Sequence, residues 1–314
     1  MTAQTAGTFA TNDMVGIRED LADVIYNVAP TEVPFQSLAS FVEATNTLHE
    51  WQTDTLATAA SNSVIEGAGA PATAGTASTR LNNRTQIATK DARVSGTGQA
   101  VDTAGRADEL DYQVMKRAKE LKRDLEVGLL NNVAKVTGND TLAAKSAGIV
   151  TWIATNTSAI GADPAGTGAN TATNGTQRVF TEDLLKEVIQ QTFISGGDPD
   201  VIMVGAFNKQ KVSGFTGGST HTQKAEDKVL HASFDVYESD FGQMKVVPNR
   251  FMTVRDALVL QSDLWSIAFL PGRNMQTFDL ARVGDSDAKQ VLCEYSLQSS
   301  NEAGSGIVRD ITSS

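Results

Sequence analysis

Cysteine occurs once in the 314 residues, at Cys293, histidine three times and proline seven times, and aromatic residues make up only 6%. One thiol excludes an intrachain disulfide and a thiolate zinc site, and it suits a chain that folds in a reducing cytoplasm. His49, His221 and His231 lack metal spacing such as H-E-x-x-H and stand in polar context, so exposed positions are expected and no metal is. No run of eighteen apolar residues occurs, and the opening MTAQTAGTFATNDM has neither the basic nor the apolar region of a signal peptide. The expectation is a chain that is neither exported by such a signal nor membrane-spanning. Basic residues are also scarce: 26 Lys and Arg face 37 Asp and Glu, a formal net charge of -11, which argues against tight tracking of a phosphate backbone.

The length allows one large or two ordinary domains. Residues 1 to 30 read as an arm with one short amphipathic helix, where Leu21, Val24, Ile25 and Val28 recur at helical spacing before Pro30. Pro34 and Phe35 read as a turn. Two polar, strand-like stretches follow, LHEWQTDTL from Leu48 and LNNRTQIATKDARV from Leu81, which suggests a long hairpin. Leu48, Trp51 and Leu56 are its candidate anchors, and Arg80, Arg84, Lys90 and Arg93 its exposed cations. Between the strands, positions 55 to 79 hold eight Ala, five Thr, three Gly and three Ser, with Glu66 the only charge. Such a tract buries too little apolar area to offset backbone ordering of roughly 1 to 2 kcal/mol per residue, so it needs a partner to become ordered.

Residues 107 to 136 carry the strongest pattern in the chain. Leu110, Val114, Ala118, Leu121, Leu125, Leu129 and Val133 make one narrow helical stripe, with Lys116–Glu120 and Lys122–Glu126 as outer i,i+4 pairs and Gly138 as the stop. A low-complexity connector covers 154 to 177 and marks a boundary. A helix from Thr181 with Leu184, Leu185, Val188 and Ile189 inward, a buried strand VIMVG and a further helix AFNKQKVSGF indicate an α+β domain. The remainder reads as strands, ending in a hairpin of Gln276 to Val283 with Lys289 to Leu297 closed over Gly284.

Motifs for chemistry are weak. Gly67-Ala68-Gly69-Ala70-Pro71-Ala72 fits G-x-G-x-x-A, but no helix-forming stripe follows it, so a dinucleotide cradle is not expected. Ser286-Asp287-Ala288-Lys289 matches S-x-x-K without the companion motifs of penicillin-recognising enzymes. Asp263, Asp285, Asp287 and Glu294 read as solvated carboxylates, and the Asn-x-Ser/Thr triplets at Asn83, Asn139, Asn156 and Asn174 as loop composition. Lys116, Arg117, Lys119, Lys122 and Arg123 form the one basic cluster, and interleaved Glu120, Asp124 and Glu126 favour a solvated or intersubunit helix face over a nucleic-acid site. No catalytic residue, cofactor or metal is assigned.

TEVPFQSL, EWQTDTL, NRTQI with VSGT after it, DELDYQVMKRAKELKRDLE, VPNRFM and ARVGDSDAKQVLCEYSLQSSNEAGSGIVRDI follow one another in the order found in a known family. The chain resembles SU-ten-type major head proteins, tailed-phage capsid proteins of the Hong Kong 97-like fold. The resemblance runs from about residue 17 to the end, apart from a variable segment near 152 to 178. It implies an N-terminal arm (1-47), an extended loop (48-100), a peripheral domain with the long helix (101-150 plus 271-314) and an axial domain (151-270). It also implies a structural, non-enzymatic protein that assembles with itself as hexamers and pentamers into an icosahedral or prolate shell around double-stranded DNA. A portal protein, with scaffolding or decoration proteins, would be further partners. DNA would be enclosed without sequence-specific binding, and a net acidic shell suits containment. The expected intersubunit contacts are Glu66, Arg80, Arg84 and Arg93, with Glu109 and Asp111 as acidic partners, and Trp51 as the anchor of the loop. The alternative is an oligomeric virion-surface or tail-associated binding protein that uses the hairpin as a ligand arm.

Overall fold

A computed structural model describes residues 32–57, 59–61, 63–69, 75, 77–101, 108–215 and 236–312. The helix expected before Pro30, His221 and His231 lie outside these residues. In chain order the elements are α1 (Pro34–Leu38), β1 (Ser40–Glu43), β2 (Leu48–Thr53), β3 (Thr79–Arg84), β4 (Gln86–Ser95), α2 (Gly96–Ala100) and α3 (Glu109–Leu130). They continue as β5 (Thr157–Ser158), α4 (Glu182–Ile194), β6 (Val201–Val204), α5 (Ala206–Ser213), β7 (Val236–Ser239), β8 (Gly242–Pro248), β9 (Ala257–Leu260), β10 (Trp265–Phe269), β11 (Gln276–Asp279), β12 (Ser286–Ser299) and β13 (Gly306–Val308). The fold is α+β.

The long strand β12 organises the first sheet. Its alternation puts Val291, Cys293, Tyr295 and Leu297 on one face, all buried, and α3 lies on that face with Leu121, Leu125 and Leu129. The helix approaches closely because Gly128 has no side chain; a Cβ there would stand 2.4 Å from Tyr295 Oη. One edge of β12 pairs with β4 over Ser286↔Ser95 to Tyr295↔Gln86. The other edge pairs with β11 and then β10, and β1 lies parallel to β10 beyond it. The predicted hairpin closes over Gly284, which takes the left-handed φ of 68° that its turn requires.

A six-stranded sheet in the order β5-β13-β9-β6-β8-β7 forms the second layer. Leu185, Val188 and Ile189 of α4 and Val212 of α5 pack on Ile202, Val204, Val259 and Val308. Its other face meets the first sheet: Val201, Met203, Leu258 and Leu260 share one apolar cluster with Trp265, Val291 and Leu125. The core is therefore continuous across both sheets.

Four expectations need correction. The strand read from Leu81 to Val94 is two strands, because Thr85 leaves the ladder to donate its hydroxyl to Glu294 at 2.8 Å, sending β3 to β2 and β4 to β12. Pro34 and Phe35 begin a short helix and not a turn. The long helix stops at Leu130, not at Gly138, so it measures about 33 Å. The chain beyond it is drawn into the connector: the Asn132 side-chain amide bonds both backbone groups of Ala172, and Lys135 N–H donates to the Gly168 carbonyl. Finally, Asn83 lies in β3 and not in a loop, whereas Asn156 is in the bend before β5; both are buried and bonded on both ends of their amides.

Candidate assembly surfaces

The hairpin is a two-stranded ribbon with Leu48↔Arg84 at its base and Thr53↔Thr79 at its far end. Trp51 is half-buried at the base, its ring 5.3 Å from that of Trp152 and 5.6 Å from that of His49. His49 is not the exposed histidine expected; it is half-buried and shares a 2.7 Å hydrogen bond with Gln298. Farther out, apolar side chains are exposed: Leu56 is 99% exposed, Ile65 84% and Val64 56%. Near the tip, Ala68 N–H donates to the Ile65 carbonyl at 3.0 Å and Gly67 has φ +81°. That is a β-turn with neither strand nor helix in the described residues beside it, unlike a nucleotide cradle.

The predicted contact residues fall into two groups. Arg80 is already engaged across the ribbon, with Nε and Nη2 on the Glu50 carboxylate at 3.1 and 2.8 Å. Asp111 holds Lys289 at 3.2 Å, and Glu109 accepts from Gln113 at 2.7 Å. Glu66 is exposed in the tip turn, Arg93 is exposed and Arg84 half-exposed. Arg84 and Arg93 make no ion pair with a described residue. The structure therefore does not bring these six side chains together within one chain. Trp51 is the exception in being packed, against Trp152.

Two buried carboxylates missed by sequence reasoning hold distant segments together. Glu126 was expected on the outer face beside Lys122 but is fully buried. Its Oε1 accepts from Phe35 N–H and Asn249 Nδ2, both at 2.7 Å, and its Oε2 from Gln36 N–H and Nε2. Burial pushes its carboxyl above the usual range, and the four donors pull it part of the way back. Leu130 was the signal for this: an apolar residue four positions on, outside the predicted stripe, shows that a second side of the last turns is covered.

Asp310 closes the C-terminal end. Its backbone is left-handed at φ 59° and its carboxylate accepts from the N–H groups of Ile160, Gly161 and Gly175 and from Arg255 Nη2 at 2.9 Å. Burial alone would raise this acid; the four donors outweigh it and hold it at about 2. Next to it, buried Arg309 donates to Ala162 O, Thr173 O and Asp163. The low-complexity connector is thereby pinned along its length by the last residues of the fold.

Nothing in these contacts assembles a reaction centre. Ser286 donates to the Val283 carbonyl while Lys289 reaches Asp111, and three positions along a strand place the two on opposite faces. Asp287 is tied to Arg282, and Glu294 is buried between Thr85 and Arg273, so neither is simply solvated. Among the described residues no helix is long and apolar enough to cross a membrane.

Solved capsid structures share this architecture. The capsid asymmetric unit of cyanophage A-1(L) superposes with a TM-score of 0.69 at 13% identity, covering 96% of this chain and 98% of that one. The capsid of a native GTA particle gives 0.65 at 13% identity, with the same coverage of 96% and 98%. These likenesses establish the Hong Kong 97-like fold.

The sequence establishes the family: the SU10 major capsid protein profile matches residues 2–312. A curated major capsid protein of Escherichia phage Phieco32 is 28% identical over 343 aligned residues, 96% of each chain. The chain belongs to the SU10 major capsid protein family and is a shell-forming head protein.

Proposed function

We propose that this protein tiles the head as rings of six and five copies, with the hairpin of residues 48–84, the projecting part of the extended loop 48–100, lying on a neighbouring copy. One observation carries the reading: Leu56, Val64 and Ile65 are exposed on a ribbon with no core of its own. Burying such side chains is worth about 1.5–3 kcal/mol each, and a closed shell repeats the gain at every subunit. Arg84 and Arg93 would pair with carboxylates of the neighbour. Glu109 and Asp111 remain the acidic candidates, since the exposed Asp111–Lys289 pair is weak enough to exchange. Residues 101–150 with 271–314 would form the peripheral domain and 151–270 the axial domain. A portal would fill one vertex, scaffolding or decoration proteins would bind the shell, and assembly would take place in the host cytoplasm before DNA enters.

The hairpin contact is testable because Cys293 is buried. An Ile65→Cys variant adds one exposed thiol; in assembled particles, a thiol-to-amine crosslinker should join it to a second copy and give dimers and higher ladders on a denaturing gel. Crosslinks found only within single chains would contradict the placement.

A further inference from the structure

The outward face of α3 differs from the rest of this acidic chain. Lys116, Lys119 and Lys122 are exposed on the side of the helix turned away from the sheet, and the first and last are about 9 Å apart along the axis. On sequence grounds Glu120, Asp124 and Glu126 should neutralise them. The structure removes all three. Glu120 is taken by Arg117 at 2.7 Å, Asp124 by Lys90 at 2.8 Å, and Glu126 is buried among Phe35, Gln36 and Asn249. Asp111 is held by Lys289 and Glu109 accepts from Gln113. Lys116 still lies near the Glu120 carboxylate, at longer range than Arg117. None of the three lysines has an ion-pair partner among the described residues. At the same end of the face, the Arg123 guanidinium lies over the Phe251 ring at 5.6 Å, next to exposed Arg250.

We propose that this face lines the lumen of the head and touches the phosphate backbone of the enclosed duplex. The inference rests on the shell-forming role. A row of flexible, unpaired ammonium groups fits a polyanion as point charges without reading bases. It adds only a few contacts per subunit, so DNA is held next to the wall without being bound tightly by a chain of net charge -11. The neighbouring guanidiniums of Arg123 and Arg250 extend the row, while the carboxylates that would repel the duplex are engaged elsewhere.

The test uses the full-length protein and a triple variant, Lys116→Gln with Lys119→Gln and Lys122→Gln. Binding of the unassembled full-length protein to a mixed-sequence DNA duplex is measured between 50 and 200 mM salt, and shell yield is scored separately. Three phosphate contacts give a slope near −2.7 in log affinity against log salt, so the wild-type lysines should account for about a 40-fold loss over that range. The variant should lose this part of the salt dependence while still forming shells at the wild-type yield. An unchanged slope would overturn the proposal, as would a head reconstruction with this face on the exterior or against a neighbouring protein. Failure of the wild-type protein to form shells would instead count against the shell role itself, so the two failures are distinguishable.

Discussion

Asn249 Nδ2 donates to Glu126 Oε1 at 2.7 Å, joining the loop after β8 of one sheet to the helix packed on the other. The same oxygen accepts from Phe35 N–H, so three segments meet at one buried carboxylate. Replacing it with alanine removes the acceptor of four hydrogen bonds and leaves the buried Phe35 N–H without its partner, so Glu126→Ala should destabilise the fold by about 3–5 kcal/mol in chemical denaturation.

The pH dependence of this group has a definite sign. A carboxyl raised by burial keeps its proton in the folded chain at pH values where the unfolded chain has lost it. Stability therefore falls as pH rises from the ordinary glutamate value, about 4.3, through the raised one. Glu126→Gln should flatten that part of the profile; a slope equal to wild type would show that Glu126 does not set it.

Asp310 behaves in the opposite sense. Its carboxyl is depressed to about 2, so its contribution is complete above the unfolded value near 3.9 and is lost as pH falls toward 2. Asp310→Asn keeps a residue that tolerates φ 59° yet removes the charge opposite Arg255. The expected cost near neutral pH is about 2 kcal/mol, shrinking in acid. A cost that does not change between pH 6 and pH 2 would contradict this role.

Much of this fold was legible because its cause is local. The stripe of α3 and the alternation of β12 are periodic, and Gly284 marks the turn between β11 and β12. Glu126 was misread because its donors lie 90 or more residues away in sequence, so an i,i+4 lysine was the only partner in view. The break at Thr85 and the clasp at Asp310 were hidden for the same reason: their partners, Glu294 and Gly161, are fixed by tertiary contact alone. The candidate contact residues were legible only as types. Among the described residues Arg84 and Arg93 make no ion pair, whereas Arg80 and Asp111 have theirs inside the chain.

Trp51 joins the ribbon to the body through Trp152. Trp51→Ala should cost about 2 kcal/mol, less than a fully buried tryptophan because the ring is half-exposed, and should raise protease nicking between residues 57 and 79. Unchanged nicking would remove Trp51 as the anchor.

Charge reversal at Arg84 separates assembly from folding. Arg84 makes no ion pair with a described residue, so Arg84→Glu should leave the melting transition of the unassembled protein within about 0.5 kcal/mol of wild type. Particle yield, counted in micrographs, should fall several-fold. Normal yield would exclude an attractive contact between Arg84 and a neighbour.

The central claim is that this chain is the repeated subunit of a closed shell, and electron microscopy of the purified full-length protein tests it most directly. The account predicts closed particles of uniform diameter whose subunit density accommodates α3 on the five-stranded sheet and the hairpin across the next copy. A preparation that yields only monomers or open oligomers, with source particles whose shell is built from another chain, would contradict it.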